Sequence, residues 1–387
     1  MNLTFQGIEK ANEIVKASLE KVIAQHEGIG LQVAAYLNGD LAIDTWAGLA
    51  DEGAGRLVDG DTLFNVFSVA KAVTATALHI QAERGLVDYD EKISTYWPEF
   101  GVHGKDKATV RHALTHCAGV PQMPEGVLPE HICDWDRMCA DIANLEPMFP
   151  IGEKLAYHSI TFGWIIGEIV CRTDPARRTL NQFVQEEICA PLNIPDLWMG
   201  IPDSVVPRVA KLTNANAGGP PIPEGSVTAL SMPAAVSLTP ETMERPEVRR
   251  ATVAGVGGIF TARSEARFWA MLAQGGELDG VRILSKDRVN SFITPSDLDG
   301  QVDPVLSAVL PISSGGYWLG SDHLRVYSVK NPRAICHPGA GGSLGWADID
   351  NNIAVAICLN RMYNAKGLDD DPIYYVTEEI RRALGVL

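Results

Sequence analysis

Apolar positions recur at helical spacing from the start of the chain. Ile8, Ala11, Ile14, Val15, Leu19, Val22 and Ile23 fall on one face, which predicts an amphipathic helix over Gly7–Gln25. The pattern then changes. Leu31–Leu37 is a run of small and aliphatic residues, Asn38-Gly39-Asp40 is a turn sequence, and Leu41–Ala47 completes a β-hairpin. From Leu63 the chain runs apolar up to Ser68, then through an Ala- and Leu-rich stretch to about Arg84, with Gly85 just beyond. That is a helix with a glycine at its C-terminal stop.

Between about Tyr89 and Asp174, helical segments alternate with Pro/Gly-rich loops, and β-branched runs are few. Asp106–Leu114 reads as one helix. Thr161–Cys171 reads as a buried one, apolar at Phe162, Ile165, Ile166, Ile169 and Val170, with Gly163 and Gly167 spaced for close packing. Five prolines between 220 and 240 mark Asn214–Pro246 as a long loop, of the kind compact proteins use as lids or crossovers. A glycine-rich turn at Gly255-Val256-Gly257-Gly258 precedes a helix near Ser264. Strand patterns follow at Gly316–Leu319, Leu324–Val329, Ala334–His337, Leu344–Ile349 and Ile353–Leu359, and Asp371–Leu384 is a closing helix.

Both ends therefore supply strands and the middle supplies helices. The implied fold class is α/β, of the α+β type: an antiparallel sheet built from both chain ends, flanked by helices, with an inserted mostly helical domain. The expected units are 1–75 with 250–387 for the sheet and 76–249 for the helical part. A cleft is expected at their junction, where the Ser68 helix begins.

Composition narrows the partners. At 46% hydrophobic and 21% charged the chain is an ordinary globular protein. It has no apolar run of roughly eighteen residues, so no membrane span is expected, and Met1–Lys21 lacks the apolar core of a secretory signal. A net charge of −16 argues against nucleic acid and anionic membranes as partners. The seven cysteines are odd in number, scattered and free of C-x-x-C pairs, which points to a reducing, cytoplasmic setting. The sequence carries no signal for oligomeric state.

The chemistry concentrates at Ser68-Val69-Ala70-Lys71. Residues three apart on a helix are neighbours, about 5–6 Å between Cβ atoms. Ser68 and Lys71 would meet at a helix start, where unpaired N–H groups and the positive dipole end favour negative charge. A serine hydroxyl becomes a strong nucleophile only when a base takes its proton, and a buried lysine can be that base. This is the S-x-x-K pattern of serine acyl-enzymes. Pro150-Ile151-Gly152 leads into Tyr157-His158-Ser159, a turn delivering a phenol that shuttles protons when a cation lowers its pKa. His337-Pro338-Gly339-Ala340-Gly341-Gly342 lies between two predicted strands, and its glycines let backbone approach a ligand closely.

Taken together and in this order, the three stretches resemble the superfamily of serine β-lactamases, penicillin-binding proteins and family VIII carboxylesterases, with the esterase branch nearest. Leu114-Thr115-His116-Cys117-Ala118-Gly119, Gly255–Thr261 and Trp346-Ala347-Asp348 extend the resemblance over most of the chain. It implies a β-lactamase-like fold and hydrolysis of a small-molecule ester without cofactor or metal. By the same resemblance Ser68 is the acylated nucleophile, with Lys71 and Tyr157 as coupled base and acid. The N–H groups of Ser68 and Ala340 are the implied oxyanion hole, and His158, Ser159, His337 and Gly339 the implied substrate contacts. Two departures stand out: His337-Pro338-Gly339 replaces the Lys-Thr-Gly of penicillin-recognising members, and Ser159 replaces their usual Asn. The first removes a cation and a hydroxyl that would meet a substrate carboxylate, which favours a neutral ester. Acyl transfer to an alcohol, lactamase, lactonase or peptidase activity, and a penicillin-binding-like sensor are the alternatives.

Other residues have plainer readings. Gly341-Gly342-Ser343-Leu344-Gly345 fits G-x-S-x-G, but no histidine follows Ser343, so the order Ser…Asp…His cannot be met. His112 and His116, four apart, lack a third metal ligand nearby and read as structural. Trp135, Phe149, Trp164, Trp318 and Trp346 are candidates to line an acyl pocket, with core packing the expectation for Trp164.

Overall fold

The computed structural model of the chain describes residues 4–25, 29–214, 222–321, 329–363 and 371–386. A seven-stranded antiparallel sheet ties the two ends of the chain together. Its order is Trp318–Leu319, Ile335–Pro338, Leu344–Asp348, Ile353–Leu359, Gly30–Leu37, Asp40–Asp51 and Arg56–Leu57. The join is in register from Leu31 opposite Leu359 to Leu37 opposite Ile353.

Strand periodicity explains how the sheet is covered. Alternate side chains point to opposite faces, and Gly30–Leu37 is buried throughout. Leu31, Val33 and Ala35 pack with Val15, Leu19 and Val22 of the N-terminal helix and with Val376 and Ile380 of the closing helix. Ala34 and Tyr36 face the other core, which contains Ala266, Phe268 and Ala270 of the helix Ala262–Ala273 and most of the helical middle of the chain. Each aliphatic side chain of this kind stabilises the fold by roughly 1.5–3 kcal/mol when fully buried.

The first hairpin, the Ser68 helix (Ala70–Glu83), the buried helix (Thr161–Thr173) and the closing helix (Pro372–Leu384) lie where the patterns placed them. Asp371 caps the last, its Oδ1 accepting from the N–H groups of Ile373 and Tyr374. Three segments differ. Asp106–Leu114 is not one helix: a 3₁₀ turn at Lys105–Lys107 precedes a short helix, Val110–Leu114. Thr109 interrupts it as an extended N-cap, its side chain accepting from the His112 N–H while His112 Nδ1 accepts from the Thr109 N–H. Asn214–Pro246 is not wholly loop. Residues 222–246 hold short turns at Val227–Ser231, Ala234–Val236 and Pro240–Met243, started by Ser226 as a cap and by Pro240 at a first helical position. The Gly255–Gly258 turn leads into a strand, Gly258–Phe260, before the helix begins at Ala262. The strand expected at Leu324–Val329 lies outside the described residues except for Val329. Among the described residues no helix is long and apolar enough to cross a membrane.

Candidate active site

Ser68 stands between a strand and a helix. Phe64–Phe67 pairs antiparallel with Gly258–Phe260, with a bulge between Asn65 and Phe67. Phe67 then adopts φ 52°, a left-handed conformation that costs a non-glycine residue about 1–2 kcal/mol. The bulge and this residue turn the chain sharply, so that Ser68 precedes the first helical turn. The Lys71 N–H donates to the Ser68 carbonyl at 3.0 Å.

Lys71 is fully buried. Its Nζ lies 2.9 Å from Ser68 Oγ, 2.7 Å from the Ser159 carbonyl and 2.8 Å from the Gly255 carbonyl. Burial pushes its pKa well below the usual lysine range. The three partners fix what a neutral amine does here. A carbonyl only accepts, so the two N–H bonds of the amine point at Ser159 and Gly255. The nitrogen lone pair is left facing Ser68, whose hydroxyl can donate to it. In its neutral form Lys71 is therefore placed to accept a hydrogen bond from Ser68.

Both carbonyls reach Lys71 because two backbone segments cross closely. A Cβ built on Gly163 would lie 2.1 Å from the Gly255 nitrogen, and one on Gly255 would lie 2.6 Å from the Ile160 carbonyl oxygen. No side chain fits between them. Gly163→Ala is therefore expected to destabilise the protein by about 3 kcal/mol, the upper range for overpacking, and to lower activity in the molecules that still fold. Urea midpoints measure this, with Gly53→Ala as the control: that Cβ would meet only Asp51 Oδ1, at 3.5 Å. Equal midpoints for the two variants would refute the crossing.

Tyr157 is buried, and its ring centroid lies 5.0 Å from Lys71 Nζ. Its N–H donates to Asp303 Oδ1 at 2.7 Å, while Asp303 Oδ2 accepts from the Leu306 N–H at 2.6 Å. Its ring packs at 4.6 Å from that of His116 and edge-on at 5.9 Å from Trp318. Trp318 is in turn 5.8 Å from His337. Of the five aromatics singled out in the sequence, Trp318 is the one with ring contacts to Tyr157 and His337, and Trp164 is fully buried in the core.

The third stretch reaches the nucleophile's strand. A Cβ on Gly339 would lie 2.2 Å from the Val66 carbonyl oxygen, so only glycine allows this approach. It brings the turn Ala340–Gly342 alongside the segment ending at Ser68. His337 is fully buried, and burial lowers its pKa to about 3. Its Nδ1 lies 2.9 Å from the Pro338 carbonyl and so carries the hydrogen, which leaves Nε2 as an acceptor. The imidazole is uncharged.

The remaining site candidates are engaged with the protein. His158 Nδ1 donates to the Ala156 carbonyl at 2.7 Å and Nε2 accepts from the Val120 N–H at 3.3 Å. Its ring thus holds a turn, with both nitrogens occupied. Ser159 meets Lys71 through its carbonyl, while its Oγ accepts from Ser231 Oγ at 2.6 Å. Sequence reasoning missed Ser231, Asp303 and the Gly255 carbonyl, and read His116 as structural without placing it on Tyr157. Ser231 lies in a segment without periodicity, and a carbonyl leaves no signature in sequence. Ser343 follows the turn Ala340–Gly342 and enters a strand, with its carbonyl accepting from the Gly339 N–H.

The arrangement matches known proteins over nearly the whole chain. The beta-lactamase family model covers residues 15–377. The chain belongs to the beta-lactamase family. It is 30% identical over 354 residues to the esterase/beta-lactamase LipL of Mycobacterium tuberculosis (strain ATCC 25618 / H37Rv), covering 88% of this chain and 79% of that protein. Among solved structures it is similar to a family VIII carboxylesterase, with TM-score 0.86, 28% identity and 99% of each chain covered. It is also similar to a penicillin-binding protein homologue from Caulobacter crescentus, with TM-score 0.85, 29% identity, and 100% of this chain and 99% of that one covered.

Proposed function

We propose that this family member is a serine hydrolase that cleaves a small, uncharged carboxylic ester through an acyl-Ser68 intermediate. The observation that carries the reading is the set of bonds around Lys71 Nζ, which directs a neutral amine's lone pair at Ser68 Oγ. In the proposed reaction Lys71 takes the Ser68 proton as Oγ bonds to the ester carbonyl carbon. The carbonyl π pair moves to its oxygen, held by the N–H groups of Ser68 and Ala340, where one lost donor typically costs about 3–4 kcal/mol of transition-state stabilisation. Collapse breaks the bond to the alcohol oxygen, which leaves with a proton relayed from Lys71 through Tyr157. Water, deprotonated by the same pair, then attacks the acyl carbon, releases the acid and returns the proton to Ser68.

The site stands, in this reading, at the junction of a sheet unit (1–75 with 250–387) and a helical unit (76–249). The uncharged imidazole of His337, followed by Pro338, supports a neutral substrate over a carboxylate-bearing lactam, since neither supplies a cation or a hydroxyl. The carboxylesterase among its structural relatives supports the same choice. The seven free cysteines support a cytoplasmic setting.

The test is intact-mass analysis of protein quenched during turnover of short p-nitrophenyl esters, with peptide mapping. The expected result is one acyl group per chain, on the peptide containing Ser68, with a matching nitrophenol burst. Turnover with Ser68 unmodified and the acyl group on another residue would overturn the mechanism.

A further inference from the structure

Ser159 and Ser231 form a hydrogen-bonded pair of buried hydroxyls, and the reaction scheme gives neither hydroxyl a role. Ser231 ends the short helix Val227–Ser231, far along the chain from Lys71. That helix is fastened from both sides. The Leu230 carbonyl accepts from the Met123 N–H at 2.9 Å, and Thr228 Oγ1 donates to the Val305 carbonyl at 2.6 Å. Val305 lies within the 303–306 turn whose Asp303 accepts from the Tyr157 and Leu306 N–H groups. The segment 226–232 therefore connects the Met123 loop, the turn that holds Tyr157 and the residue that holds Lys71.

We propose that Ser231 is a positioning residue for the general base: its hydroxyl fixes Ser159, whose carbonyl aims the Lys71 lone pair at Ser68. This deepens the reading above and rests on it. The argument is one of directions. The two N–H bonds of a neutral lysine define where its lone pair points, and one of them is tied to the Ser159 carbonyl at 2.7 Å. A serine is small, and on an irregular turn its carbonyl can swing by rotation about the adjoining backbone bonds. The bond from Ser231 at 2.6 Å ties the same residue from its side chain. Without that bond the turn is held only by its neighbours His158 and Ile160, the Ser159 carbonyl can shift, and the amine can rotate its lone pair off Ser68. Reaction geometry is sensitive at this scale, where a displacement near 1 Å can cost on the order of a hundredfold in rate.

A second consequence concerns protonation. The ionisable groups facing Lys71 are His116, His158 and His337, each held neutral by burial, and Tyr157, whose ring lies beside it. With those unchanged, Ser68 Oγ and the carbonyls of Ser159 and Gly255 are the acceptors that stabilise its ammonium form. Displacing the Ser159 carbonyl removes one of them and lowers the pKa of Lys71 further.

The experiment compares Ser231→Ala and Ser231→Thr with the parent enzyme, using kcat/KM for a p-nitrophenyl ester across pH and the acyl burst by mass. For Ser231→Ala we expect a full burst of one acyl group on Ser68, a roughly ten- to hundredfold slower acylation, and an acid limb of kcat/KM displaced to lower pH. Ser231→Thr, which retains the hydroxyl, should restore both the rate and the limb. Unchanged acylation in Ser231→Ala would overturn the proposal. So would a slower rate with an unmoved acid limb, because loosened packing alone predicts that result. Should Ser231→Ala not fold, Ser231→Cys, a weak donor of similar size, takes its place: slower acylation with an acid limb below the parent's supports the proposal, and an unmoved limb overturns it. A parent enzyme that turns over without labelling Ser68 would instead sink the underlying mechanism.

Discussion

Ser68→Ala is expected to lower ester turnover by about a millionfold, the scale on which a serine hydrolase loses its nucleophile, and to leave no acyl adduct. Lys71→Met keeps the hydroxyl but removes the acceptor of its proton. Its expected loss is smaller, on the order of 10²–10⁴-fold, the usual contribution of a positioned general base. The ordering of the two variants is informative because they share one bond, 2.9 Å long. A nucleophile elsewhere would leave Ser68→Ala active. Steady-state rates with p-nitrophenyl acetate make the measurement, and Ser343→Ala is the control, since Ser343 lies in the G-x-S-x-G match that the chain order rules out. Retained turnover in Ser68→Ala together with its loss in Ser343→Ala would overturn the assignment.

Acid sensitivity is the second large effect. Among the described residues four histidines are fully or almost fully buried: His79, His116, His158 and His337. Burial lowers the pKa to about 3 for His79 and His337, to about 4 for His158, and well below the usual range for His116. In the unfolded chain each would titrate near about 6.5. The folded value is the depressed one, so this stabilisation is fully present above about pH 6.5 and is lost as pH falls towards the folded values. In that window the unfolded chain binds protons that the native one refuses. Each histidine then removes roughly 1.4 kcal/mol per pH unit. Lys71, also depressed by burial, makes its loss from about pH 10.4 downward, starting well above this window. Glu265 opposes them: burial raises its pKa to about 8, so its contribution is greatest in acid. It is outnumbered. Against a total stability of about 5–15 kcal/mol, cooperative unfolding is expected to set in below about pH 6 and to be complete before pH 4. Thermal melts from pH 7.5 to 4 measure it, and a Tm that stays level down to pH 4.5 would refute the four neutral imidazoles.

The histidines also mark where sequence reading stops. His116 and His112 share a helical spacing, and that spacing suggested nothing beyond a structural use. In the fold they separate. His112 caps a five-residue helix, whereas His116, at φ 59°, turns its ring onto Tyr157. Nothing local distinguishes them, because burial and ring contact depend on what arrives from distant parts of the chain. Ser159 is a similar case. The resemblance implies a substrate contact there; in the fold its hydroxyl meets Ser231 and its carbonyl meets Lys71. Asp106–Leu114 reads as continuous because apolar spacing does not register Thr109 as a cap that competes for the same N–H groups.

Sequence alone determined the main helices, the sheet shared between the two ends, and the placing of a serine and a lysine one helical turn apart. These are properties of periodicity and short spacing, set by backbone geometry within a few residues. Tertiary structure decided which way the lysine's lone pair points. That direction depends on two carbonyls brought together where Gly163 crosses Gly255, and on a hydroxyl supplied from Ser231. The carbonyls are backbone atoms common to every residue, and the Ser231 hydroxyl reaches Ser159 from a distant part of the chain, so no local pattern announces either.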